Sequence, residues 1–290
     1  MAPDRLRRGG GAALGALMLA LASAGAGASG PGDRDGAAPW VVATYAYPQR
    51  DRAAAVQPLA DYLARRSGHA VQARILPSPT ALVEALRRGE VDVAVPNLHG
   101  YLQARPGEGA IVALPVPDVP PAQADRYRAV LVARDGLATL AELPERAREL
   151  RLVLVGADSA SGGFIPVAAL RALGLDPRTG FASLDYAGSH AAALQAVAEG
   201  RADVAALAAD VYDAGPPPGV RELWRSAPIP PGPLLCRASA AIDCGQVAGW
   251  LLQAHEQDPA VMAALRAGWP EFGDATAFTV APPLQDVTID

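Results

Sequence analysis

One ten-residue plan occurs twice in this chain and limits what it can fold into. Ala85-Leu86-Arg87-Arg88-Gly89-Glu90-Val91-Asp92-Val93-Ala94 is matched 111 residues later by Ala196-Val197-Ala198-Glu199-Gly200-Arg201-Ala202-Asp203-Val204-Ala205. Each copy reads as the end of a helix, a glycine stop, two linking residues, and Asp-Val-Ala opening a buried strand. Both run on into polar or aromatic residues: Asn97, His99 and Tyr101 after the first, Asp210 and Tyr212 after the second. Ligands of open α/β sheets gather at the carboxyl ends of the strands. Two similar α/β lobes facing one cleft follow from the repeat. Asp92 and Asp203, repeated in both copies, read as turn formers rather than as chemistry.

The rest of the chain alternates in the same way. Trp40 to Thr44 reads as a strand ending at Tyr45 and Tyr47. A helix over Ala53–Ser67 stops at Gly68, with Pro58 disturbing an early turn, and Val71 to Leu76 is a second strand. Pro115 through Pro121 is a connection, Ala129 to Ala133 a crossing strand, and Leu234-Leu235 a return strand after the Pro-rich 227–233 stretch. The lobes are expected at residues 40–130 with 230–290, and at 131–229.

The second lobe contains the most suggestive loop. Leu152-Val153-Leu154-Val155 reads as a buried strand, Phe164 to Leu173 as a helix, and Ser159-Ala160-Ser161-Gly162-Gly163 joins them. Small hydroxyl residues and glycines at a helix start let N–H groups and Ser oxygens converge on one point. The unsatisfied donors and partial positive charge there can hold a small oxyanion. An ordinary N-cap on a tight turn is the simpler reading of the loop alone.

The first 28 residues read as an export leader: Arg5, Arg7 and Arg8 precede an apolar Ala/Leu/Gly run with small residues suited to cleavage by Ala28. No cysteine closes this segment, so a soluble periplasmic protein without a lipid anchor is expected. Removing three Arg and one Asp moves the net charge from −5 to −7, which disfavours nucleic acid as a partner. The chain has no lysine, so every fixed side-chain cation is an arginine. Cys236 and Cys244 are the only cysteines, and an oxidising compartment favours a disulfide between them. With scattered histidines, no metal site is expected.

Four motifs together carry a family resemblance: Gln57-Pro58-Leu59-Ala60-Asp61-Tyr62-Leu63; Val91-Asp92-Val93-Ala94 with Tyr101; Ser159-Ala160-Ser161-Gly162-Gly163-Phe164-Ile165-Pro166; and Ala187-Gly188-Ser189-His190 continuing to Ala205. From about Val41 to Ala267 the chain resembles the phosphate/phosphite/phosphonate substrate-binding proteins of ABC importers. These belong to the two-lobed type II periplasmic-binding-protein fold, an α/β architecture with a ligand cleft between lobes. The resemblance implies a monomer that captures a small phosphorus oxyanion (phosphonate, phosphite or phosphate), needs no cofactor, and delivers the ligand to an inner-membrane ABC permease. It implies ligand contacts from Ser159, Ala160, Ser161 and Gly162, from His190, from Tyr101, and from Tyr45 or Tyr47. Asp210 falls where relatives place an acid that accepts from a protonated ligand oxygen or amine. Asn97 and His99 are further polar candidates. Three departures stand out: Ala160 replaces the usual Thr, Gly163 replaces an aromatic and opens space, and Gly232 lies where aminophosphonate binders can carry an acid.

Two other functions fit parts of the pattern. An exported sensing module for a membrane receptor or kinase would use the same closing cleft. A serine hydrolase built on Ser159 or Ser161, His190 and Asp210 lacks the Gly-x-Ser-x-Gly elbow, so no catalytic residue is expected.

Overall fold

A computed structural model of the chain describes residues 38–283 apart from 108 and 138. The leader expected at residues 1–28 lies outside the described residues. The elements run β1 (Trp40–Tyr45), α1 (Arg52–Ser67), β2 (Val71–Leu76), α2 (Pro79–Arg88), β3 (Val93–Ala94), α3 (Leu98–Ala104), β4 (Ile111–Ala113), β5 (Val116–Pro117) and β6 (Ala129–Arg134). Next come α4 (Leu143–Arg146), β7 (Arg151–Leu154), α5 (Ile165–Ala172), β8 (Ser183–Tyr186), α6 (His190–Ala198), β9 (Val204–Ala208), α7 (Ala209–Asp213) and β10 (Val220–Arg225). The chain returns through β11 (Leu235–Arg237), α8 (Cys244–Gln257), α9 (Ala260–Gly268) and β12 (Phe278–Thr279).

Two five-stranded sheets result, ordered β2-β1-β3-β11-β4 and β8-β7-β9-β6-β10. They follow one plan. Three parallel strands lead in each, and β11 and β6 pair antiparallel to the third. The repeated sequence explains the likeness atom by atom. Gly89 and Gly200 take left-handed φ values of 77° and 73°, where a side chain would be strained. Glu90 N–H then donates to Ala85 O and Arg201 N–H to Ala196 O, at 2.9 and 2.8 Å. Asp92 Oδ2 accepts from Val41 N–H at 2.8 Å, and Asp203 Oδ2 from Arg151 N–H at 2.9 Å. Each aspartate thus ties the entry of its strand to the parallel neighbour in its own sheet, β1 for Asp92 and β7 for Asp203. Their role is structural.

Alternation along the strands splits the core between sheet faces. In the first sheet Val42 and Val93 pack with Leu59, Leu63, Leu251 and Trp269 of the α1/α8/α9 layer. Ala43 and Ala94 pack with Leu82, Leu86 and Leu98 of α2 and α3 on the other face. In the second sheet Val130, Val132 and Val153 face α6, while Leu131, Leu152 and Leu154 face Leu170 of α5. Helix α1 passes through Pro58 without a break and ends at Gly68, φ 73°. Cys236 of β11 and Cys244, which opens α8, are disulfide-bonded.

The chain passes between the sheets twice, and the two crossing segments are bonded to each other. Ile229 N–H donates to Tyr127 O at 2.8 Å, and Ser226 N–H to Ala129 O at 2.9 Å.

Candidate functional site

Between the sheets lies a cavity of about 190 Å³, lined by Tyr45, Tyr47, Arg52, Ser78, Asn97, Tyr127, Asp158, Ser159, Ala160, His190 and Glu271, among others. Larger hollows open beside Trp40 and Ile242 (about 600 Å³), beside Tyr101 and Pro282 (about 590 Å³) and beside Pro228 and Glu271 (about 460 Å³), but none of them is lined by Arg52, Ser159 or His190. The loop after β7 forms one wall. Its first turn, Ala160–Phe164, is a π-turn capped by Ser159, whose Oγ accepts from Gly162 N–H at 3.1 Å. Close packing requires both glycines. A Cβ on Gly162 would stand 2.3 Å from Val155 Cγ2, and one on Gly163 would stand 2.0 Å from Gly156 O. The space expected from Gly163 is therefore not there: the Gly156 carbonyl fills it. Ala160 packs into the apolar layer with Leu98, Tyr101 and Ala129, where the usual threonine would bury a hydroxyl.

His190 opens α6 behind the Ser189 cap and is 2% exposed. Its Nδ1 accepts from Ala208 N–H of β9 at 2.9 Å, so the hydrogen of the neutral ring resides on Nε2. Burial pushes its pKa down to about 4, so at neutral pH it is an uncharged donor. Tyr45 and Tyr47 both line the cavity, from the end of β1 and the turn after it, and Tyr47 lies 6.0 Å from the His190 ring. Burial raises both phenols, Tyr45 to about 12.

Other expected contacts lie elsewhere. Ser161 is wholly buried behind the wall, with Oγ 2.9 Å from the Tyr127 hydroxyl. Tyr101 does not reach the cavity: α3 turns its side chain into the core, its hydroxyl has no hydrogen-bond partner among the described residues, and it borders the hollow near Pro282. Asp210, in the first turn of α7, is exposed and off the cavity wall, although its charge reaches Tyr47 and Glu271. His99 packs against Phe164 at 4.4 Å, away from the cavity lining. Asn97 does line it; its Oδ1 caps α3 through Gly100 N–H, and its Nδ2 donates to Asp158 O at 3.0 Å.

Four residues with no sequence motif complete the site. Arg52, the first residue of α1, is 3% exposed. Its guanidinium carbon sits 4.2, 5.0 and 4.3 Å from the rings of Tyr45, Tyr47 and Trp269. Nε donates to Gly268 O at 3.1 Å, and Nη1 is buried with no hydrogen-bond partner among the described residues. A cation at the start of a helix opposes the helix dipole. That local conflict was the one signal of Arg52 available in sequence. Glu271, 7% exposed, comes from the short turn Pro270–Phe272 after α9. Burial raises its carboxyl above the ordinary range, with Arg52 opposing. Tyr127 enters from the first crossing segment. Asp158 reaches over from the loop after β7 to the start of α2, where its Oδ2 accepts from Thr80 N–H and Oγ1–H at 3.2 and 3.1 Å. These bonds and that of Asn97 latch the two halves together.

Ser159 and Ala160 of the turn, His190 and Arg52 thus line a cavity smaller than the ~300 Å³ at which drug-sized pockets begin. Charge-assisted hydrogen bonds are about twice as strong as neutral ones, so the arrangement suits a small anion.

Comparison with known proteins agrees. A family model described as the periplasmic substrate-binding protein of phosphonate ABC transporters matches residues 41–277. A binding-protein component of an ABC phosphonate transporter from Pseudomonas aeruginosa superposes with TM-score 0.62 at 19% identity, covering 84% of this chain and 82% of that one. XAC2383 from Xanthomonas citri, bound to ATP, gives 0.68 at 23%, covering 87% and 96%. PhnD1 from Prochlorococcus marinus (MIT 9301), in complex with methylphosphonate, gives 0.62 at 16%, covering 84% and 93%. These three share its fold, that of type II periplasmic binding proteins. A 58-residue stretch is 52% identical to porphobilinogen deaminase 1 of Streptomyces avermitilis; it is 20% of this chain and spans 16% of that curated relative, too little to carry over its activity. By the match across 41–277, the chain belongs to the family of phosphonate ABC-transporter periplasmic substrate-binding proteins.

Proposed function

We propose that this member of the family captures a small phosphorus oxyanion, a phosphonate, phosphite or phosphate, in the cavity between its sheets and hands it to an inner-membrane ABC permease. Two lobes, residues 40–130 with 230–290 and residues 131–229, close on the ligand. The Ser159–Gly162 turn and His190 Nε2–H hold its oxygens, Arg52 supplies fixed positive charge, and Tyr45 and Tyr47 close the opposite side. The protein is exported by residues 1–28 and acts as a monomer.

The observation that carries this reading is Arg52: a buried guanidinium whose Nη1 has no hydrogen-bond partner among the described residues, on a cavity also lined by Tyr45, Tyr47, Ser159 and His190, in a chain of net charge −5. An unpaired buried charge is costly unless something neutralises it. An oxyanion does so. We read the site as one for binding rather than turnover, because its candidate nucleophile and base are engaged elsewhere. Ser159 Oγ accepts from Gly162 N–H, Ser161 bonds Tyr127, and His190 Nδ1 accepts from Ala208 N–H. The cavity volume favours methylphosphonate-sized ligands over a nucleotide.

Thermal unfolding of ligand-free protein against phosphite, phosphate, methylphosphonate, 2-aminoethylphosphonate, sulfate and molybdate tests the proposal. A ligand at 100 times its Kd stabilises by about 2.7 kcal/mol, a rise of about 5–10 °C for a chain of this size. A rise with at least one phosphorus oxyanion is expected. No rise with any of them overturns the reading.

A further inference from the structure

An anion site has an unexpected neighbour in Glu271, a carboxyl that is 7% exposed and lines the same cavity. Among the described residues no cation lies within ion-pair distance of it. Arg52 faces it but is held elsewhere, by Gly268 O through Nε and by the rings of Tyr45, Tyr47 and Trp269. Pairing directly with Glu271 would cost those contacts, so a buried guanidinium and a buried carboxyl face one cavity with room between them. The ligand group that satisfies both accepts a hydrogen bond on one oxygen and shares a proton on another.

We propose that Glu271 makes the cleft select the singly protonated form of a phosphorus oxyacid and reject oxyanions, such as sulfate, that stay fully ionised at neutral pH. The inference rests on the anion reading above. A P–O–H donating to the Glu271 carboxylate, or a Glu271 carboxyl donating to P–O⁻, contains the same single proton, so the pair titrates as one unit. Without that proton two acceptor-only, like-charged groups would be pressed together. No covalent bond to phosphorus changes: free ligand dianion, carboxylate and one solvent proton combine into the complex.

The groups facing Glu271 leave it and the ligand as the titrating pair between pH 7 and 9. Arg52 at the head of α1 and Arg50 before it oppose the rise of the Glu271 carboxyl, and Asp210 of α7, whose own carboxyl burial pushes up, adds to it. Tyr45, Tyr47 and Tyr127, which feel the Glu271 charge, have hydroxyls pushed above their ordinary value of 10 and stay neutral. His190, with its pKa lowered to about 4, is neutral throughout. The raised carboxyl of Glu271 is in keeping with a group that can hold a proton in the complex.

Isothermal calorimetry with methylphosphonate across pH 7–9, in buffers of different ionisation enthalpy, tests this. The wild-type protein should take up about one proton per ligand at the upper end. Once pH exceeds the higher of the two free pKa values, its affinity should fall about tenfold per pH unit. Glu271→Gln, which replaces the acceptor by a permanent donor, should flatten that fall to under about threefold and raise sulfate affinity at least about tenfold. A flat wild-type profile without proton uptake overturns the proposal, and that measurement needs no variant to fold. So does an undiminished slope in E271Q. Either result, with methylphosphonate still bound, leaves the anion reading standing. Failure of every phosphorus oxyanion to bind at any pH overturns both.

Discussion

The bond between Tyr127 and Ser161 joins the crossing segment to the turn that forms the cavity wall, and its energetic weight can be worked from the structure. Ser161 is wholly buried, and its Oγ lies 2.9 Å from the Tyr127 hydroxyl. Tyr127→Phe leaves the Ser161 hydroxyl buried and without that bond, at a cost of about 1–3 kcal/mol. With roughly 2–4 °C per kcal/mol in a chain of this size, a 2 kcal/mol loss lowers Tm by about 4–8 °C. Adding Ser161→Ala removes the stranded hydroxyl as well, so the double variant should recover most of the loss. The cycle should give a coupling of about 1–2 kcal/mol. Denaturant unfolding of the four proteins, with m checked for constancy, supplies the numbers. If Y127F leaves stability unchanged, or the two losses simply add, the bond does not hold the turn and the account of the wall is wrong.

His190 has a folded pKa of about 4 against an ordinary 6.5, so between those values the unfolded chain binds more protons and stability falls as pH drops. The full effect is about 3 kcal/mol. His190→Asn, which keeps an acceptor for Ala208 N–H, should lose that component in paired pH–stability curves; identical curves would remove His190 from the titration. Gly163→Ala drives a methyl to 2.0 Å from the Gly156 carbonyl and should cost about 2–4 kcal/mol, read by denaturant unfolding. Asp158→Ala removes both bonds to Thr80, and about 1–2 kcal/mol of lost closure shifts the lobes toward the open form by roughly 5–30-fold, visible as expansion in small-angle scattering. Replacing Cys236 and Cys244 by Ala opens a link spanning 8 residues and should destabilise by about 2–3 kcal/mol before any packing loss, measured by thermal unfolding.

Local pattern revealed the repeated architecture because its causes are local. Gly89 and Gly200 stop helices, and Asp92 and Asp203 each bond a neighbouring strand, so one motif written twice builds two sheets alike. Ser159 and His190 were legible for a related reason: each stands at a helix start whose sequence announces itself. Tyr101 was misread because the facing of a seven-residue helix is set by packing, not by its distance from a strand. Arg52 and Glu271 are far apart in sequence, and their meeting depends on the return of α9 against α1, where Gly268 allows close approach to Ala55. Nothing near Glu271 in sequence distinguishes it from a surface acid. Its chemistry is tertiary.

The central claim is that a phosphorus oxyanion sits between Arg52, His190 and the Ser159–Gly162 turn. A crystal structure of the protein with methylphosphonate tests it most directly. The account predicts phosphorus in the cavity bounded by Tyr47 and Ser159, with oxygens about 2.7–3.2 Å from Arg52 Nη1 and His190 Nε2. Methylphosphonate bound elsewhere, or in the cavity with both Arg52 and His190 left unengaged, would contradict it.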